Sequence, residues 1–481
     1  MPEHAKVLLD RSAQLKYQLY TVLARHSGQN LTITDLAELN HTNYQPTYAV
    51  FQEIILDVMA MVNEPRAMVR KALLQATRLP VSLDEYRSYL VQKSLAYRLV
   101  NYVVVGNATS LNAFCEQEFV SRSTITRKLR PLNQLMAEFG IKLRLASLKF
   151  TGSEANIRYL LYAMYWWAHR GIYWPFTSVD QDNIAAECHA IGIMDERELA
   201  QRQQQYFLAI CRLRAGKGAV LAPNHVLATL TQKVAASGLR RGQAHPPLTS
   251  NDSAYFNFYQ ISQPRFDSRE RTAIAPAQEV HLLTTDETQP VIDALTQRLY
   301  RPQLGDLGMD LYLNLLRLVF GYCACDGDFP QAQDIVGRIT VAVDQDLVTA
   351  VTAVVAQLPV NPLYAGIQRD QDRFVQEVVR LVSPYYYRGE HHLPVRVQLA
   401  VPDGSEGYRQ LRAFVNAVPW IAKVVTTEPD VVIGSEQSAA PKPYDYIWYP
   451  GALAVQAYRE QLMQHLLTAQ AQKNSPDNKS K

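Results

Sequence analysis

The hydrophobic period of this chain changes once along its length, and that change constrains the fold more than any other feature. Up to about residue 385 apolar side chains recur at helical spacing. Leu15, Leu19, Val22 and Leu23 do so, as do Leu311, Leu315, Leu318 and Val319, and Val375, Val378, Val379 and Val382. Ala49, Ile54, Leu56, Val58, Met61 and Val62 follow the same period less regularly. After His392 the period falls to two: Val395, Val397, Leu399 and Val401 alternate with Arg396, Gln398 and Ala400. Pro402-Asp403-Gly404-Ser405 ends that strand, and Tyr408 to Val418 reads as a helix. Lys423 to Val425, Asp430 to Gly434 and Tyr446 to Tyr449 read as further strands before a closing helix at about Leu453 to Leu467. Strands alternating with helices specify a small parallel or mixed sheet. Upstream, strand signals are confined to Asn101 to Val105 and a pair around Ile141 to Lys149.

A chain of 481 residues is too long for one core, and at roughly 150 residues per domain it suggests about three domains or more. Its formal charge of +3 with 19% charged residues excludes a chain-wide basic coat, yet leaves room for a local basic face. Cysteines 115, 188, 211, 323 and 325 have no disulfide-framework spacing, which fits a reducing compartment. No run of about 18 apolar residues occurs. The most apolar stretch, Tyr159 to Ala168, is short and bounded by Arg158, His169 and Arg170, and the first residues lack a signal-peptide pattern. A soluble cytoplasmic protein without a membrane span is expected.

The segment Thr109 to Gly152 carries the most chemistry. Ser110 to Phe119 reads as a short helix with Leu111, Phe114, Cys115 and Phe119 inward, followed by a turn at Val120-Ser121. Ile125, Leu129, Leu132, Met136 and Phe139 then form one apolar stripe, with Ser121 as N-cap. The opposite face carries Arg122, Ser123, Thr126, Arg127 and Arg130, with Lys128 at its edge. Pro131 lies within this helix and should kink or end it, leaving Ser121 to Arg130 as the reading part. Ile141, Leu143 and Leu145 alternate with Lys142 and Arg144, and the chain returns through Leu148-Lys149-Phe150. Short helix, turn, long helix and basic hairpin make a winged helix-turn-helix, whose second helix enters the major groove of double-stranded DNA. Between residues 61 and 150 fourteen Lys and Arg stand against six Asp and Glu, a local +8 that leaves −5 for the rest of the chain. The expected DNA-contacting residues are Ser121, Arg122, Ser123, Thr124, Arg127, Lys128 and Arg130, with Lys142, Arg144 and Lys149 on the wing.

A weaker copy lies upstream. Ile33 to Leu39 reads as a short helix capped by Thr32 or Thr34, Asn40 to Asn43 as the turn, and Gln45 to Met61 as the longer helix. Its exposed candidates are Thr42, Asn43, Tyr44, Gln45, Thr47 and Tyr48, with no arginine among them. This unit is either a second reader of low charge or a packing module.

Ser121-Arg122-Ser123-Thr124-Ile125, together with Leu148 to Arg158 and the aromatic runs Tyr165-Trp166-Trp167 and Trp174-Pro175-Phe176, resembles the Mga/AtxA family of transcriptional regulators of Gram-positive bacteria. The resemblance is specific over residues 105 to 176 and architectural elsewhere. It implies a mainly α multidomain fold: winged helix-turn-helix units, two helical-bundle domains like phosphotransferase-system regulation domains, and a small C-terminal α/β domain like an EIIB. The corresponding bounds are 1–64 and 65–165 for the helix-turn-helix units, 166–283 and 284–390 for the regulation-like domains, 391–470 for the EIIB-like domain, and 471–481 for a frayed tail. The resemblance implies a homodimer and phosphotransferase-system proteins as partners, but the phosphate acceptors depart from the pattern. Leu208 to Arg212 resembles the stretch after the regulatory histidine, yet the aligned position is Gln205; His189 is the nearest substitute acceptor. Between His281 and His391 no histidine occurs, and no cysteine follows Cys325, so an EIIB phosphocysteine is excluded.

Other constellations point elsewhere. Cys323-Ala324-Cys325-Asp326-Gly327-Asp328 reads as a helix end and turn rather than a metal site, His391-His392 as a linker, and Gly238 to Ser253 as another. Walker, dinucleotide-binding, zinc-protease and nucleophile-elbow motifs are missing, so neither enzyme activity nor a cofactor or metal is expected. The alternatives are a protein-interaction or scaffold regulator without histidine phosphorylation, and an RNA-binding antiterminator.

Overall fold

Helix starts in this chain are written in capping residues. The computed structural model describes residues 7–75, 78–106, 108–191, 198–238, 249–262, 275–299, 307–324, 345–359, 364–383, 394–416, 418, 421–435, 445–448, 452–454 and 456–473. Residues Met1–Val382 form one compact unit and Ser383–Lys481 a second. The first unit begins with α1 (Arg11–Arg25), α2 (Ile33–Leu39), α3 (Tyr44–Val62), α4 (Arg66–Gln75), α5 (Leu83–Lys93), α6 (Leu95–Val104), α7 (Leu111–Gln117) and α8 (Arg122–Glu138). A hairpin of β1 (Lys142–Arg144) and β2 (Lys149–Thr151) follows, then α9 (Glu154–His169). The unit continues with α10 (Gln181–Ile191), α11 (Glu198–Gly216), α12 (His225–Ala236), α13 (Ser250–Ser262), α14 (Pro276–Leu283), α15 (Thr288–Leu299) and α16 (Leu307–Ala324). It closes with α17 (Gln345–Ala356), α18 (Ala365–Arg369) and α19 (Gln371–Val382). Thr32 with Asp35 and Ser82 with Glu85 form capping boxes, while Asp10, Ser110, Ser121 and Asn224 cap α1, α7, α8 and α12 through their side chains.

The two helix-turn-helix units are one design repeated 78 residues apart. At the first turn His41 N–H donates to Glu38 O and Thr42 N–H to Ala37 O. At the second, Phe119 N–H donates to Glu116 O and Val120 N–H to Cys115 O, at the same offsets. His41 (φ 52) and Phe119 (φ 53) both occupy the left-handed region. The buried positions also superpose in sequence: Leu36 with Phe114, Thr47 with Ile125, Phe51 with Leu129, Ile54 with Leu132 and Val58 with Met136.

Several sequence expectations are corrected here. Asn101 to Val105 is not a strand: it belongs largely to α6, whose Leu99, Val100, Val103 and Val104 are buried on one helical face. Burial outweighs the β-propensity of the valines. Pro131 does not end α8, which runs unbroken to Glu138. Buried Leu129, Leu132, Leu135 and Met136 hold the helix on both sides of the proline, whose own position is exposed. Phe119 points outward rather than inward, and Leu15 and Leu56 are likewise exposed. The hairpin is as expected, antiparallel with Leu143 opposite Phe150. Gly152 ends it at φ +129, where a Cβ would lie 2.5 Å from the Gly140 carbonyl oxygen.

From Asn156 to His169 every side chain of α9 is buried. Arg158 donates to Glu154 (3.0 Å) and Asp252 (2.6 Å), and Arg214 reaches Glu154 at 2.6 Å, so this network joins α9 to α11 and α13. His169 lies within 2.8 Å of the Ser88 hydroxyl at Nδ1 and 2.8 Å of the Tyr97 hydroxyl at Nε2. Burial, with Arg87 nearby, lowers its pKa to about 3, so the ring is neutral.

The second unit contains β3 (Val395–Ala400), α20 (Glu406–Asn416), β4 (Ala422–Val424), β5 (Val431–Ser435), β6 (Tyr446–Trp448) and α21 (Gln456–Lys473). Its four strands are all parallel in the order β4-β3-β5-β6. Val395, Val397, Leu411, Ile433, Leu462 and Leu466 form its core. Gly407 is required by close approach, since a Cβ there would meet the Trp448 ring at 2.2 Å. Cys325, Asp326, Asp328, His391, His392 and residues 474–481 lie outside the described residues, as does most of the linker expected at 238–253.

Candidate nucleic-acid interface

The start of α8 is built by its cap. Ser121 Oγ accepts from Thr124 N–H at 3.2 Å and lies 2.8 Å from the Ser123 and 2.9 Å from the Thr124 hydroxyl. This leaves α8 with one face turned inward through Ile125, Leu129 and Leu132 and the other exposed through Arg122, Ser123, Thr126, Arg127 and Arg130. Arg122 Nε donates to Asn112 Oδ1 at 2.6 Å, fixing the first guanidinium of the row against α7. The side chains of Arg127 and Arg130 have no hydrogen-bond or ion-pair partner among the described residues, and nor do Lys142, Arg144 and Lys149, all exposed on the wing. Five cations are thus left to water on one helix and its adjoining hairpin.

Lys128 and Thr124 differ from the rest of the expected set. Lys128 is half-buried and its Nζ lies 3.1 Å from Asp10 Oδ2, a carboxylate that also caps α1 through Ala13 N–H at 3.0 Å. Burial pushes the Asp10 pKa up, but the Ala13 amide and Lys128 outweigh it and hold the carboxyl below its usual range. Thr124 is half-buried and engaged with the cap. The pairing of Lys128 with Asp10 and of Arg122 with Asn112 had no sequence signal, since the partners lie 118 and 10 positions away.

In the first unit Thr42, Asn43 and Gln45 are exposed, but Thr47 is not, being 2% exposed. Its hydroxyl donates to Asn43 O at 2.9 Å and lies 2.8 Å from Thr42 Oγ1, so Thr47 locks the turn. It occupies the place of Ile125 in the apolar stripe, and its expected role at the DNA surface is corrected on that ground. Tyr44 and Tyr48 stand where α8 has Arg122 and Thr126; both are exposed and their rings stack at 6.1 Å. Residues 1–64 hold four Lys and Arg against seven Asp and Glu, a net −3.

The expected phosphate positions are placed as follows. His189 is exposed on α10. Gln205, on α11, lines a cavity of about 300 Å³ with Gln181, Asp182, Glu198, Gln201 and Arg202, and its Oε1 is buried without a hydrogen-bond partner. The loop after β3 is closed by its own bonds: Ser405 Oγ donates to Pro402 O at 2.6 Å and accepts from Tyr408 N–H at 3.2 Å, and Glu406 pairs with Arg409. Cys323 is buried. Among the described residues no group of three or more His, Cys, Asp and Glu is placed to hold a metal ion, and no helix is long and apolar enough to cross a membrane.

Residues 80–165 match the Mga helix-turn-helix domain, a span that holds α5 to α8, the hairpin and most of α9. Over 141 residues the chain is 21% identical to the capsule synthesis positive regulator AcpB of Bacillus anthracis, covering 28% of this chain and 29% of that protein. The match therefore spans less than a third of the relative's length. The resemblance to Mga/AtxA regulators is borne out: the matched span 80–165 holds Ser121 to Ile125 and Leu148 to Arg158, while Trp166-Trp167 and Trp174 to Phe176 lie beyond its end, and the chain carries an Mga helix-turn-helix domain.

Proposed function

We propose, from that Mga helix-turn-helix domain as premise, that the protein is a sequence-specific DNA-binding transcriptional regulator acting as a homodimer. The observation that carries this reading is the free basic face of α8 continued by the wing cations, on a helix whose opposite face is locked into the fold. Arg122, Ser123, Arg127 and Arg130 read base edges and adjacent phosphates, while Lys142, Arg144 and Lys149 bind the flanking backbone. Lys128 joins them only by exchanging Asp10 for a phosphate. Ser121 and Thr124 contribute by fixing the helix start.

Thr42, Asn43 and Gln45 of the first unit are proposed as uncharged contacts supplying little affinity, because no lysine or arginine accompanies them. Homodimerisation would present two such readers to two half-sites. A link to sugar phosphotransferase proteins would need an acceptor, and exposed His189 is the residue proposed for it. Loss of phosphate uptake in His189→Ala tests that link separately. The decisive test of the reading is a fluorescence-anisotropy titration of the full chain against a duplex selected from a randomised pool and a scrambled control, across salt concentrations. Specific binding with a steep negative salt slope is expected; binding indifferent to sequence, or none, refutes it.

A further inference from the structure

Phe119 has no part in packing the fold. It is 95% exposed, although phenylalanine ranks among the most buried residue types. It also sits at φ 53, in the left-handed region that glycine or asparagine occupies at less cost. The turn presenting it is fixed: its own N–H donates to Glu116 O at 3.2 Å, Val120 N–H donates to Cys115 O at 3.0 Å, and Arg98 holds the neighbouring Glu118 at 2.6 Å. The equivalent place in the first turn holds His41, so the turn itself does not demand an aromatic ring. Neither conformation nor packing accounts for a phenylalanine here, and it precedes the cap Ser121 by two residues, at the end of α8 that carries Arg122 and Ser123.

We propose that Phe119 is a direct apolar contact to DNA, its ring packing against carbon at the rim of the major groove. That carbon is either a thymine 5-methyl group or a deoxyribose face. The inference rests on the DNA-binding reading above. A rigid turn holds the ring where a docked duplex would cover it, so its burial occurs on binding and not on folding. Because the contact involves no phosphate, it adds affinity without adding to the salt dependence.

The test uses the full chain and a duplex that the wild-type protein selects from a randomised pool. Phe119→Gly is expected to bind that duplex roughly tenfold more weakly, with an unchanged salt slope and a melting temperature no lower than wild type. Phe119→Leu should retain most of the affinity. The same duplex made with deoxyuridine separates the two sources: if the methyl group is the contact, wild type loses affinity and Phe119→Gly loses no more; if wild type is indifferent, the sugar face is the contact. Wild-type affinity in Phe119→Gly overturns the proposal while leaving the regulator reading intact. Failure of the selection itself removes the regulator reading and this contact with it.

Discussion

Arg127 and Arg130 lie three positions apart on the exposed side of α8, and the two should part company with the wing lysines when titrated with salt. Arg127→Ala is expected to cost about 1–3 kcal/mol of specific binding and to relax discrimination at one base position. Lys142→Ala should weaken all sequences alike and flatten the salt slope by about one. Anisotropy on cognate and scrambled duplexes checks both. A different residue, His169, governs a pH dependence of stability. Its ring stays neutral in the fold down to a pKa of about 3, whereas an unfolded histidine takes up a proton near pH 6.5. Below about pH 6.5 the unfolded chain therefore binds one proton more than the folded chain. This contribution is full above pH 6.5 and falls by about 1.4 kcal/mol per pH unit towards pH 3. Urea midpoints at pH 7.5 and 5 should show that slope, and His169→Gln should remove its share. At this scale the sequence was legible wherever a side chain's role follows from its own helix, as with Arg127. Thr47 and Phe119 were misread because period alone cannot say which flank of a stripe or turn the neighbouring elements cover.

Elements were legible in proportion to how far local chemistry decides them. Ser121 and Thr32, the latter one of two caps offered with Thr34, marked the starts of α8 and α2, since a cap acts within its own turn of helix. The valines of α6 and Pro131 misled because tertiary burial overrode local preference at both. The proline still leaves the fourth residue before it, Arg127, without its usual backbone donor, on an exposed turn that water can serve. Pro131→Ala should then raise stability, by about 3 kcal/mol at most, without loss of DNA affinity; a lower melting temperature would contradict this account. Gly152→Ala should act in the opposite direction, because both its φ and the Gly140 carbonyl oppose a side chain. The expected result is a destabilised wing, seen as weaker binding with a shallower salt slope.

At the level of the whole molecule the strongest commitment is the buried network of Arg158, Asp252, Glu154 and Arg214, whose members come from three helices. Arg158→Ala leaves Asp252 buried without its arginine and should cost about 3–5 kcal/mol, read as a lower urea midpoint of the first unit. Partners 94 residues apart give no periodic signal, so nothing in the sequence foretold this tie. The change of period near residue 392 did foretell a small sheet, left open as parallel or mixed and found parallel, because strand alternation survives whatever packs on it. The repeated turn has a consequence for how such a chain diversifies. Two copies of one scaffold, alike in backbone bonding and buried positions, are free to drift apart on their outer faces without endangering either fold. One copy is cationic and the other acidic and tyrosine-bearing, so a shared backbone scaffold carries two different outer faces. The acidic copy is thus a spare chassis: placing the exposed cations of α8 at the matching positions of α3 is expected to add affinity and salt dependence to a unit whose own proposed contacts are uncharged.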